Sequence, residues 1–186
     1  RVGRNVRGNT DRSDGIGDEG FKIYTDGEDI VICGRTPRGT VYGVYRFLEE
    51  IIGFRCFTKD IETFDKRGKI TVSNIDITEN PSFEYRDTYF RGAFDCDYAV
   101  KNRLNSSLAL IPNEKGGRTK FYNFHHSFYD ILPPDIYFDE HPEYYSLVDG
   151  VRLKQNGQLC LTNEDAVNEA IKRVKEWIRS RPDCKV

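Results

Sequence analysis

The chain has 186 residues, a formal net charge of −2, and acidic and basic residues that are interspersed throughout. That length allows one or two domains, and without a basic stripe a nucleic-acid role is set aside. No apolar run approaches the roughly 20 residues that span a bilayer, and no signal-peptide pattern opens the sequence given, so localisation stays open.

Hydrophobic content is modest at 38%, but eleven Tyr and twelve Phe supply large rings for a core. The same rings, where they fall near loops, suit a carbohydrate cleft in which aromatic faces stack on sugars. Met is absent, which reads as a piece of a longer or processed chain. The five Cys (Cys33, Cys56, Cys96, Cys160, Cys184) show no C-x-x-C spacing. Neither a thiolate zinc site nor a disulfide framework is expected, and no cofactor is implied. Mostly buried, reduced thiols are the expectation.

In chain order, the Arg-rich opening RVGRNVRGNTDRSDG is broken by Gly, Asn and Asp and reads as a surface strand or loop. Residues 21–24 and 30–33 are strand-like, and Asp26-Gly27 between them is a hairpin signal with a loop longer than two residues. A helix follows, with Thr36 as N-cap, Pro37 at its first position and Gly53 as C-cap. Val41, Val44, Tyr45, Leu48, Ile51 and Ile52 give it one apolar face, and Gly39 and Gly43 let it approach a sheet. Strands are expected at 54–57, 61–64 and 70–77, with a turn at 65–68. Residues 1–78 are thus an α+β domain, a mixed sheet with one packed helix. Having no His and no convergent acid pair, it is assigned a supporting role.

Residues 81–105 join this domain to the remainder of the chain. They read as an aromatic strand at 83–90, a charged, Gly-containing strand end at 91–95 and a helix-like segment at 98–104. A polar loop at 113–118 precedes a short strand at 121–124, which ends in His125-His126-Ser127. Pro133, Pro134 and Pro142 break residues 129–145 into a long loop with a single helical turn. Short strands at 144–148 and 159–161 are joined through Asp149-Gly150. The last helix opens on the capping-box pattern Thr162-x-x-Asp165 and buries Val167, Ala170, Ile171, Val174, Trp177 and Ile178. Arg181-Pro182 ends it, and Lys185-Val186 begins another strand. Strand–helix alternation of this kind argues for parallel βα units.

Two blocks carry a family resemblance. Pro37-Arg38-Gly39-x-x-Tyr42-Gly43-Val44-Tyr45 with Leu48-Glu49 resembles the small N-terminal domain of beta-hexosaminidases and alpha-glucuronidases. Tyr85-Arg86-Asp87, Asn102-Arg103-Leu104-Asn105, His141-Pro142-Glu143-Tyr144-Tyr145 with Asp149-Gly150, and Gln158-Leu159-Cys160-Leu161-Thr162-Asn163 resemble a glycoside-hydrolase-like barrel domain, domain of unknown function 4838. The resemblance implies that residues 79–186 are the first βα units of an incomplete (β/α)8 TIM-type barrel, whose chemistry sits at the C-terminal ends of its strands.

Candidate site residues follow from that placement. Pro81-x-Phe83-x-Tyr85-Arg86 is similar to the barrel start of hexosaminidases, whose matching Arg binds sugar hydroxyls. The guanidinium of Arg86 suits that task, or a structural ion pair with Asp87 or Asp95. Arg91 and Asp95 read as a cleft lip or as solvated loop charge. Of His125 and His126, neighbours on a strand point to opposite faces, so one ring is offered to a ligand and the other to the core, with a satisfied structural histidine as the equal alternative. A metal site with His141 lacks supporting spacing. Asp139-Glu140-His141 is a solvated cluster, Asn163 a helix cap and Trp177 a core residue. Glycosidic hydrolysis uses two carboxylates about 5–5.5 Å or ~6.5–9.5 Å apart, and no such pair is identified, so catalytic residues are expected beyond these 186. The expectation is a glycoside hydrolase acting on a complex glycan, inactive as this piece alone. The alternative is a non-catalytic carbohydrate-binding or surface adhesion protein.

Overall fold

The computed structural model describes Val2, residues 15–66 and residues 68–185. Apart from Val2 and Gly15, the Arg-rich opening lies outside the described residues, as do Arg67 of the expected 65–68 turn and Val186. The chain divides into two compact units, Arg1–Thr119 and Lys120–Val186. Residues 79–119, assigned from sequence to the second domain, belong to the first compact unit.

In chain order the first unit carries β1 (Phe21–Asp26), β2 (Asp29–Gly34), α1 (Pro37–Ile52), β3 (Arg55–Thr58), β4 (Ile61–Thr63), β5 (Asp76–Glu79) and α2 (Cys96–Lys101). β1 pairs antiparallel with both β2 and β5, giving the order β2-β1-β5. Asp26 lies opposite Asp29, so the β1–β2 loop is the two residues Gly27-Glu28, shorter than expected. Gly27 takes φ 62°, as the first residue of a type II′ turn requires. Val2 adds an isolated parallel bridge to Ile32. β3 and β4 pair only with each other among the described residues, so the five expected strands form a three-stranded sheet and a separate hairpin.

The termini of α1 follow its sequence closely. Thr36 Oγ1 accepts from Gly39 N at 3.3 Å, and Gly53, at φ 63°, donates its N–H to Leu48 O. Its apolar residues do not form one face, however. Val44 and Phe47 pack with Phe21, Ile23, Ile32 and Tyr42 against the sheet. Val41 and Tyr45 pack with Ala99, Val100, Ala109 and Ile111. The buried line between these two contacts is Gly39, Tyr42 and Gly43, spaced i, i+3, i+4.

Residues 83–90 are not a strand: Asn105 supplies its side-chain Oδ1 to Arg86 N (2.8 Å), so among the described residues the one backbone link between residues 86 and 105 is Asn105 N to Arg86 O at 3.2 Å. Thr119 N in turn donates to Asn105 O at 2.9 Å. Residues Arg91–Phe94 wind into a 3₁₀ turn instead of ending a strand.

The second unit contains α3 (Phe128–Ile131), α4 (Pro134–Tyr137), β6 (Leu147–Val148), β7 (Val151–Arg152) and α5 (Glu164–Ser180). The proline-broken segment therefore holds two short helices and a 3₁₀ turn at Pro142–Tyr144, not one helical turn. Asp149 and Gly150, both at positive φ (49° and 79°), turn β6 back onto β7, the pattern of a type I′ hairpin. Leu159 makes only an isolated bridge, to Tyr145, and Phe121 only a parallel one, to Lys185.

Asn163, not Thr162, caps α5, accepting from Ala166 N at 2.9 Å. Ala166 and Trp177 are buried, with Ala170 and Val174 packed beside them against Leu132, Tyr144 and Tyr145. Ile171 and Ile178, expected inside, are 46% and 54% exposed. The register explains this: residue 171 lies roughly 140° round the helix from residue 166, outside the 166–170–174–177 stripe.

A methyl group tests the helix–sheet approach. A Cβ at Gly39 would fall 2.4 Å from the backbone oxygen of Gly20. Gly→Ala inside a helix ordinarily gains up to about 1 kcal/mol. Here the backbone must yield, and Gly39→Ala is expected to lose about 1–3 kcal/mol in urea unfolding. A midpoint at or above that of the unsubstituted chain would refute the close contact.

Candidate functional site

The structure distributes the five sequence-predicted site residues among different roles. Arg86 lies in a polar network of the first unit, centred on the carboxylate of Glu19. Arg86 Nη2 and Arg38 Nη1 each donate to Glu19 in close ion pairs, and Asn105 Nδ2 lies 2.9 and 3.2 Å from its two oxygens. The remaining Arg86 nitrogens also donate internally, Nε to Arg103 O (3.1 Å) and Nη1 to Phe83 O (2.7 Å). The guanidinium lies over the Tyr42 ring, 5.4 Å from its centroid, and Tyr42 donates its hydroxyl to Leu104 O at 3.0 Å. The ion pair foreseen for Arg86 with Asp87 or Asp95 is thus made with Glu19.

Burial pushes the Glu19 pKa up, but hydrogen bonds from Asn105, Arg86 and Arg38 outweigh it and hold the carboxyl below its ordinary value. Burial, with the nearby Glu19 charge, pushes Tyr42 up to about 12. Asp87 is engaged as well: Oδ2 accepts from Tyr85 (2.7 Å) and Ser106 (2.8 Å), and Oδ1 from Thr88 N (2.8 Å). Asp95 caps α2, accepting from Tyr98 N at 2.9 Å. Arg91 is exposed at the start of the 3₁₀ turn. Arg86 lines a recess with Tyr42, Asn102 and Arg103 whose lining includes neither Arg91 nor Asp95.

The two histidines lie in the second unit, in a bend, not at a strand end. His126 takes φ 55°, which abolishes strand alternation. Both rings are exposed and sit 5.2 Å apart, so neither is given to the core. They continue a run of rings: Phe121 stacks on Phe124 at 4.4 Å, and Phe124 meets His125 edge-on at 5.9 Å.

His126 opens onto a recess of about 490 Å³, lined also by Ser127, Phe128, Tyr129, Asn156, Gly157 and Gln158. Its wall is fixed by hydrogen bonds at backbone level. Tyr129 Oη donates to Leu153 O (3.0 Å) and accepts from Gly157 N (3.1 Å). Ser146 Oγ bonds both Gln158 O and Gln158 N at 2.7 Å. These bonds leave four lining side chains, those of His126, Ser127, Asn156 and Gln158, without a hydrogen-bond partner among the described residues. Asn156, like His126, is held at a positive φ of 55°, a conformation found disproportionately where a site is pre-shaped.

Glu19, Tyr129, Asn156 and Gln158 were missed from sequence. Asn156-Gly157 carried a turn signal, but nothing local linked it to Tyr129, 27 to 28 residues earlier in the chain. His141 is occupied locally, stacked on Tyr144 at 4.6 Å with Nδ1 3.1 Å from Glu143. Among the described residues, no three His, Cys, Asp or Glu side chains converge as a metal site, all five Cys are free thiols, and no helix is long and apolar enough to cross a membrane.

The Glu19 network yields a prediction with a defined pH sign. Its lowered folded-state pKa contributes stability above the ordinary glutamate value of ~4.3, and that contribution is lost as pH falls through the folded value. Glu19→Gln is expected to cost about 2–3 kcal/mol at pH 7, because it leaves Arg38 and Arg86 without their counter-charge. The gap between the two proteins should narrow as thermal melts are taken from pH 7 down to pH 2. A gap that is constant over that range would rule out the charge as its source.

No curated protein and no solved structure matches the chain. The family model of a domain of unknown function, DUF4838, matches residues 56–186, starting ahead of the boundary that the sequence motifs placed at residue 79. With most of its length matched, the chain belongs to the DUF4838 family.

Proposed function

We propose that the chain is part of a carbohydrate-active protein, a glycoside hydrolase of the DUF4838 family, and that its second unit contacts the glycan. The observation that carries this reading is the recess at His126, where four side chains with no partner among the described residues line a pre-shaped wall beside a run of partly exposed rings. A pyranose ring presents hydroxyls around its edge and C–H groups on its faces. Amide, hydroxyl and imidazole groups match the edge, and the ring run from Phe121 to His126 suits the faces. A volume of about 490 Å³ falls within the usual range for small-molecule sites.

One feature of the second unit fits the barrel reading: Lys185 N donates to Lys120 O and Tyr122 N to Lys185 O, both at 2.8 Å, a parallel bridge whose crossover contains α5. Helical crossovers between parallel strands are how βα barrels are built. On the hexosaminidase-type reading of the N-terminal residues, the β2-β1-β5 sheet with α1 packed on it is the supporting domain.

Hydrolysis would use a carboxylate pair, assigned to residues other than these. Glu19, Asp87 and Asp95 are each held by structural donors. The same commitment favours the second reading, a carbohydrate-binding protein without hydrolytic chemistry.

Titration calorimetry of the chain against a panel of neutral and acidic oligosaccharides tests glycan contact. His126→Ala and Gln158→Ala are each expected to weaken binding about five-fold, the equivalent of one hydrogen bond at ~1 kcal/mol, and Arg91→Ala to leave it unchanged. Glycan binding fails as a reading if no oligosaccharide binds or if neither recess variant alters affinity. Appearance of new reducing ends in a longer chain of the protein separates hydrolase from binder.

A further inference from the structure

We infer that the sugar accommodated in the His126 recess is uncharged, a neutral pyranose and not a uronic, sialic or sulfated residue; this rests on the glycan reading above. None of the residues lining the recess is Asp, Glu, Lys or Arg. Its ligand-facing chemistry is one imidazole, one hydroxyl and two carboxamides. The two cations between β6 and residue 156 each have a partner: Arg152 Nη1 donates to Tyr145 O at 2.7 Å, and Lys154 pairs with Asp139 at 3.2 Å.

The physical argument is one of exchange. A hydroxyl entering the recess trades hydrogen bonds with water for hydrogen bonds with Asn156, Gln158 or Ser127, a trade between neutral partners that is close to balanced or favourable. A carboxylate or sulfate loses part of its hydration and meets no Lys or Arg among the lining residues to offset that loss. Cation-lined sites recognise acidic groups by bidentate Arg or point-charge Lys pairing, and this recess has neither residue in its lining.

The test pairs each neutral pyranose oligosaccharide with its C6-oxidised counterpart, so that partners differ by a single carboxylate, and titrates both into the chain. The neutral member is expected to bind at least about ten-fold more tightly. Gln158→Arg, at an exposed position, is expected to narrow or reverse that ratio by supplying the missing cation. If oxidised members bind as well or better while Gln158→Ala still weakens them, the recess is a glycan site but the inference of neutrality is overturned. If no member of any pair binds, the glycan reading itself is overturned and this inference falls with it. Circular dichroism of each variant establishes that it is folded.

Discussion

The first unit depends on one partly buried carboxylate. Glu19 lies in the turn before β1, yet its partners come from α1 (Arg38) and from residues 86 and 105 far along the chain. Packing alone would hold the sheet against α1, since Phe21, Ile23, Ile32 and Tyr42 form a contiguous core. Packing of Ala99, Val100 and Leu104 on Val41 and Tyr45 holds the later part of residues 83–105 against α1, and the Glu19 network adds the link to residues 86 and 105. Asn105 is fully buried, and its amide reaches Glu19 and Glu84 O while its backbone bonds Arg86 and Thr119. A carboxylate with two guanidinium partners and an amide has few alternative arrangements, because any rearrangement strands a charge away from water. The network therefore confers register as much as stability.

This allocation separates charge from recognition. The strongly polar residues that sequence motifs bring forward, Arg86 and Asp95, are engaged in holding the fold, one in the Glu19 network and one at the start of α2. The neutral side chains at the second unit's recess keep open hydrogen-bonding capacity among the described residues. Arginine is well suited to sugar hydroxyls and equally well suited to buried carboxylates. A sequence motif cannot tell which acid a guanidinium will meet.

Legibility followed the range of the interaction. The ends of α1 were readable because Thr36, Pro37 and Gly53 act within a few residues, and Asn163 was readable as a cap for the same reason. The Asp149-Gly150 turn was equally local. Residues 83–90 were misread as a strand because their β-favouring rings satisfy the local pattern, while pairing is decided at a distance, by the Asn105 side chain. The His125-His126 alternation failed on a single backbone angle, the positive φ of His126. Periodicity found an apolar side on α5 but included Ile171 and Ile178, whose exposure depends on where the rest of the unit sits. Glu19 had no local mark at all, since its role exists only once residues 38, 86 and 105 surround it.

The recess shows how a loop-built site can still be rigid. Its lining comes from two stretches, 126–129 and 156–158, neither within a long element. Loops of this kind ordinarily hold side chains imprecisely. Here the Tyr129 hydroxyl ties the first stretch to the second through Gly157 N, and a Cβ at Gly157 would lie 2.8 Å from that oxygen. Tyr129 itself packs edge-on against the buried Tyr145 at 5.7 Å, and Tyr145 in turn donates its hydroxyl to Leu132 O at 3.0 Å. The recess is therefore tied to the hydrophobic core through two tyrosines, each with an apolar body and a hydrogen-bonded tip. A wall anchored in this way orients Asn156 and Gln158 without using their side chains, which leaves those groups to a ligand.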